Sequence, residues 1–123
     1  MKIEYLNEKV EEQCTSLKTA QKLFGGDAVL ARSLHSRINL LVAAETIKDI
    51  ILMPQLHFHA LHNKDGRDLE GYFAIDVKSR REQWRIILQP LDKEGEYYNP
   101  CNIDEIAGSV RVVEIAEVSK HYE

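Results

Sequence analysis

Tyr72-Phe73-Ala74-Ile75-Asp76-Val77-Lys78, then Ser79-Arg80-Arg81-Glu82, then Gln83-Trp84-Arg85-Ile86-Ile87-Leu88-Gln89, reads as strand, hairpin connection, strand. In the first run Phe73, Ile75 and Val77 alternate with mostly polar residues, the period of two that sends one face of a strand inward. The second run is strongly apolar, and Pro90 is expected to limit its ladder because proline has no N–H to donate. Just upstream, Gly71 opens the first strand, and Lys64-Asp65-Gly66-Arg67 reads as a turn. Before that turn Leu56-His57-Phe58-His59-Ala60-Leu61 also alternates, which places both histidines on one face of a further strand. Downstream, the polar stretch from Asp92 to Ser109 contains Asn99-Pro100 and a turn of helix near Asp104. A third β-forming run follows, Val110 to Val118, ending in Ser119-Lys120-His121-Tyr122.

Upstream of Pro54 the period changes from two to helical. Ile3-Glu4-Tyr5-Leu6 is a short strand candidate. Asn7 is a suitable N-cap for a first helix, with Glu8, Glu11 and Glu12 near the positive end of its dipole. Val10, Cys14, Leu17 and Phe24 recur at helical spacing along it, and Gly25-Gly26 supplies a left-handed stop. Asp27 caps a second helix with the amphipathic stripe Leu30, Leu34, Ile38, Leu41. Thr46 with Asp49 resembles a capping box for a short third helix. Helices first and strands afterwards give an α+β domain, N-terminal helices packed on a mainly antiparallel sheet. No repeat, low-complexity tract or linker divides the 123 residues, so residues 1–123 are read as one domain.

Composition narrows the function classes. The uncharged apolar run Ile38 to Ala44 is far too short to span a bilayer, and no signal peptide is visible after Met1. A cytoplasmic, non-membrane protein is therefore expected, with Cys14 and Cys101 as thiols rather than a disulfide. The net charge of −4 argues against a globally basic nucleic-acid-binding surface. Its distribution is uneven: residues 57–90 carry six Lys/Arg against five Asp/Glu plus His57, His59 and His62, whereas residues 91–123 carry three against eight. Phosphate chemistry is to be sought in the middle third.

Cleaving RNA without a metal needs a base for the ribose 2′-hydroxyl, an acid for the departing 5′-oxygen, and cations for the charged transition state. Histidine suits the first two roles and arginine the third. His57 and His59 on a strand, Arg85 in the next sheet layer and His121 after the last strand supply these types. Each also has a plainer reading. The two histidines can be edge-strand surface residues, and no third ligand stands at a recognisable spacing for a metal. Arg80 and Arg81 can be a solvated turn. Arg85, between Trp84 and Ile86, either pairs with a buried acid or faces a groove. His121, with Lys120 and Tyr122 beside it, lies close to a chain end, where order is not the default.

The order of these segments resembles the HigB (plasmid killer, or host-inhibition-of-growth) toxins of the RelE/ParE superfamily. It runs from about Phe24 to His121. The elements are Phe58-His59-Ala60-Leu61, then Leu69-Glu70-Gly71-Tyr72, then Gln83-Trp84-Arg85, then Val113-Glu114-Ile115 leading to His121. Where the family usually ends in aspartate-tyrosine-histidine, this chain has Ser119-Lys120-His121. The resemblance implies a RelE-like microbial RNase fold and a metal-independent endoribonuclease, without cofactor, that cuts messenger RNA in the ribosomal A site. It also implies a cognate antitoxin, usually a helix-turn-helix protein, through which alone operator DNA would be bound. Carried over by position, His59 and His121 match the catalytic histidines and Arg85 the transition-state arginine. Gln83 falls where a substrate-positioning polar residue stands. His57, Lys64, Arg67, Arg80, Arg81, Lys120 and Tyr122 are the accompanying candidates for RNA contact. The ParE-like branch, which poisons gyrase, and a catalytically degenerate antitoxin-binding or co-repressor protein are the alternatives.

Overall fold

Asn7, Ser16, Asp27 and Thr46 each begin a helix in the computed structural model, which describes residues 1–63, 66 and 68–121. Asn7 accepts from the Val10 N–H at 3.0 Å and starts α1 (Glu8–Thr15). The single long helix expected up to Phe24 is instead two. Ser16 sits in an extended conformation, ends α1 with its N–H on the Glu12 carbonyl, and accepts from the Thr19 N–H to start α2 (Leu17–Leu23). A serine satisfies free groups of both helices at once, because its backbone closes one while its hydroxyl opens the other. The corner turns Leu17 outward, 47% exposed, so it leaves the stripe that the spacing assigned to it. Gly25 and Gly26, at φ 66° and 96°, stop α2 as anticipated.

Asp27 caps α3 (Ala28–Ala43) by accepting from the N–H groups of Val29 and Leu30, and Leu30, Leu34, Ile38 and Leu41 are all buried. In α4 (Ile47–Ile51) the Asp49 carboxylate reaches back to the N–H groups of Glu45 and Thr46. Its first two free N–H groups, on Ile47 and Lys48, donate to the carbonyls of Val110 and Ala107, which ties α4 to the far end of the chain. A short α5 (Ile103–Ile106) falls at the helical turn expected near Asp104.

The sheet consists of β1 (Lys2–Tyr5), β2 (His59–Ala60), β3 (Phe73–Asp76), β4 (Arg85–Leu91) and β5 (Val112–Ser119), in the order β1-β5-β4-β3-β2. The pairs β2–β3, β3–β4 and β4–β5 are antiparallel and β1–β5 is parallel. The domain is α+β, with its helices on one face of a mixed sheet. Phe73, Ile75, Val77, Ile86, Leu88, Val113, Ile115 and Val118 join the helical side chains in one core. On the other face Ala74 and Ile87 pack with Leu61 and Leu69 in a smaller cluster.

Three further expectations are corrected. Leu56–Leu61 is not one strand. Pro54–Leu56 is a 3-10 turn, His57 is left-handed at φ 52°, and only His59–Ala60 pairs. Proline at Pro54 favours the turn, and a residue at positive φ cannot continue a strand. β4 starts at Arg85 rather than Gln83, and it runs through Pro90, which stands opposite Val113. Since β3 has ended opposite Leu88, Pro90 itself is paired only with β5 and its N–H position is not needed in the ladder, which accommodates a proline. Asp76, placed by alternation on a polar face, is 1% exposed.

Leu34 is fully buried at the centre of α3. Leu34→Ala should cost about 2–5 kcal/mol in urea unfolding, whereas Val29→Ala on the exposed side should stay within about 0.5 kcal/mol. Burial pushes the Cys14 thiol up to about 12. Its thiol should resist alkylation at neutral pH until the protein unfolds. The unfolded chain loses that proton above the usual thiol range while the folded one keeps it. Stability should therefore fall as pH rises from about 9 towards 12, and an unfolding series that stays flat there would contradict this.

Candidate active site: a histidine pair on a buried carboxylate

The hairpin register brings Asp76 of β3 opposite Arg85 of β4, and Arg85 opposite Ser119 of β5. Residues opposite one another share a face, so these three form a row on the side of the sheet away from the helices. His59, opposite Ala74, lies on the same side one step along.

Arg85 takes the first of its two sequence readings, the buried acid. It is 4% exposed, and its Nε forms an ion pair with Asp76 Oδ1 at 3.2 Å. Its Nη1 donates to the carbonyls of Glu82 and Trp84, and its Nη2 to that of Arg80 at 3.1 Å. The guanidinium is therefore spent inside the protein, holding the 80–85 turn against the carboxylate. The transition-state role implied by the resemblance would need it released from those contacts. Arg37 of α3 fixes the same strand end from the helical side, donating to the carbonyls of Asp76 at 3.1 Å and Lys78 at 2.9 Å.

His57 closes the other side of Asp76. Its Nδ1 lies 3.4 Å from Oδ1, and since a carboxylate only accepts, that nitrogen is the protonated one. His59 Nδ1 lies 2.8 Å from the His57 carbonyl, so it too carries a hydrogen. In a neutral ring this arrangement leaves Nε2 without a hydrogen. The rings stack, with centroids 4.4 Å apart and planes 28° off parallel. The left-handed turn at His57 brings them together where strand alternation had predicted a common face. Rings in contact leave no room for a phosphate between them. The pair can supply a base and an adjacent proton donor or positive charge, but not an acid and a base on opposite sides of one phosphorus.

The other candidates are spread around this row. Arg80 and Arg81 are exposed on the turn, and Gln83 is exposed just before β4 rather than within it. Lys120 is exposed, with its Nζ 5.8 Å from the Trp84 ring centroid. His121 is exposed two residues beyond Ser119, whose hydroxyl accepts from its N–H at 3.1 Å. Lys64, Arg67 and Tyr122 lie outside the described residues. Sequence reasoning missed Asp76 and Arg37. Asp76 sat at a position that alternation made solvent-facing, and Arg37 was one charge among several on a helix. A buried acid opposite an arginine embedded in an apolar strand was the available signal. Among the described residues no group of three or more His, Cys, Asp or Glu is placed to hold a metal, and no helix is long and apolar enough to cross a membrane.

Compared with protein-family models, curated proteins and solved structures, the chain matches none of them.

Removing one partner of a buried ion pair strands the other charge. Asp76→Ala should cost about 3–5 kcal/mol in denaturant unfolding. Arg111→Ala, which breaks an exposed pair with Glu45, should cost less than about 1 kcal/mol. Equal effects would mean that Asp76 is not the anchor described.

Proposed function

We propose that this protein is a metal-independent endoribonuclease that acts in the cytoplasm on messenger RNA as the toxin of a toxin–antitoxin pair. The observation that carries the chemistry is the stacked His57–His59 pair with both Nδ1 atoms engaged, one on Asp76 and one on a carbonyl. A neutral imidazole held by its Nδ1–H presents an unprotonated Nε2, which is what taking the ribose 2′-hydroxyl proton requires. Asp76 fixes the His57 ring, and the His57 carbonyl in turn fixes that of His59.

His59 takes the base role, and His57, stacked on it, holds the ring in place. Stacking excludes His57 from the far side of the phosphate, so the proton for the 5′-oxygen comes from another group, for which His121 is the candidate by sequence position. The 2′-oxygen attacks phosphorus, the bond to the 5′-oxygen breaks, and a 2′,3′-cyclic phosphate and a 5′-hydroxyl result. The toxin setting, the ribosomal A site and a helix-turn-helix antitoxin rest on the sequence resemblance to HigB toxins.

One observation favours a second reading, a binding partner without catalysis: Arg85, matched to the family's transition-state arginine, is committed to Asp76. Induced expression separates the two readings, with messenger 5′ ends mapped over minutes. His59→Gln is the right control, because removing Arg85 would strand Asp76 and confound activity with folding. The expected result is growth arrest with new 5′-hydroxyl ends inside reading frames, and a loss of cleavage of about 10²-fold or more in His59→Gln. A purified protein that cuts a synthetic RNA carrying a 2′-deoxy sugar at the cleavage position would overturn the mechanism. Arrest with damaged DNA and intact messages would move the protein to the gyrase-poison branch.

A further inference from the structure

Between α3, the 3-10 turn and the β3–β4 hairpin lies an open groove of about 490 Å³, whose lining includes Arg37, His57, Asp76, Lys78 and Arg80. Three of these are permanent cations in a chain of net charge −4. Lys78 and Arg80 are exposed, and among the described residues their side-chain nitrogens have no hydrogen-bond or ion-pair partner. Arg37 is held by its Nε and Nη2 on two backbone carbonyls, which leaves Nη1 as a positioned donor. The acid in this lining, Asp76, has its Oδ1 occupied by Arg85 and His57. Its Oδ2 is buried and has no hydrogen-bond partner.

A buried carboxylate oxygen without a donor is costly, and it marks a place for a hydroxyl or a water. Cations alone would suit any anion. Cations beside an unsatisfied acceptor suit a ligand that carries a negative group and a donor close together. We propose that this groove is a subsite for a 3′-phosphorylated ribose, with the phosphate on Arg37, Lys78 and Arg80 and the adjacent 2′-hydroxyl donating to Asp76 Oδ2. The vicinal hydroxyl and phosphate of a ribonucleoside 3′-monophosphate give that pairing, and inorganic phosphate and 2′-deoxynucleotides do not. The subsite rests on the cleavage reading only for the origin of its ligand, since opening of a 2′,3′-cyclic product yields such an end.

The test is titration of the full chain with adenosine 3′-monophosphate, its 2′-deoxy counterpart and inorganic phosphate, followed by ¹H–¹⁵N NMR. Saturable shifts are expected at the Arg37 Nε–H and at the amides of Ser79 and Arg80. The deoxynucleotide should bind about tenfold more weakly, and Lys78→Ala/Arg80→Ala should weaken the ribonucleotide by about tenfold as well. Both substituted residues are exposed, so the fold is expected to survive. Equal affinity for the three ligands, undiminished affinity in the double variant, or shifts elsewhere would each overturn the subsite. Binding by a protein that cuts no RNA would keep the subsite and remove the cleavage reading; cleavage without these shifts would do the reverse.

Discussion

A single buried carboxylate organises one end of this molecule. Asp76 lies where β3 stops, and three chain segments are positioned by what they offer it. Arg85 approaches from β4 and, in doing so, gathers the carbonyls of Arg80, Glu82 and Trp84, so the hairpin connection is wrapped around a guanidinium. His57 approaches from the 3-10 turn with its backbone in a left-handed conformation that few non-glycine residues adopt. Arg37 reaches over from α3 to the backbone on either side of Val77. A buried charge needs a partner, and Asp76 has two on Oδ1 while its Oδ2 stays without one. Here the pairing recruits the segments that border the histidines, so stability and the proposed chemistry draw on the same contacts.

That arrangement alters what the arginine can do. In the usual logic of phosphoryl chemistry an arginine near two histidines faces the phosphate with its planar fork. Here the fork faces inward, and in the proposed reaction it would act on a substrate only through Asp76 and His57. The cations left for an anion, Lys78 and Arg80 with one arm of Arg37, come from the hairpin and a helix instead. Positive potential and proton-carrying groups thus meet at the end of β3 although the chain as a whole is acidic.

Much of the fold was legible in the sequence because its signals are local. The caps at Asn7 and Asp27, the glycine pair after α2, the stripe on α3 and the Phe73–Ile75–Val77 alternation each depend on a few neighbouring residues. What escaped depended on contacts between distant ones. Ser16 divides a helical pattern because its hydroxyl can cap as well as its backbone can close, and periodicity does not register that. Asp76 was assigned outward because alternation reports which face a residue lies on, not whether a turn and a histidine cover that face. The site was half legible: His57, His59 and Arg85 could be singled out by type, while their partner and the direction of the guanidinium required the register of three strands.

The order of the sheet carries a consequence for how the protein is made. β5, the last strand in the chain, sits between β4 and β1, and β1 is the first. Strands separated by nearly the whole sequence must therefore meet before the sheet is complete, an arrangement that raises contact order. During synthesis the row Asp76–Arg85–Ser119 stays incomplete, and β1 has no neighbour, until residues 112–119 have emerged. The finished sheet, with its histidine pair backed by Asp76 and Arg85, therefore depends on β5 taking its place between β4 and β1.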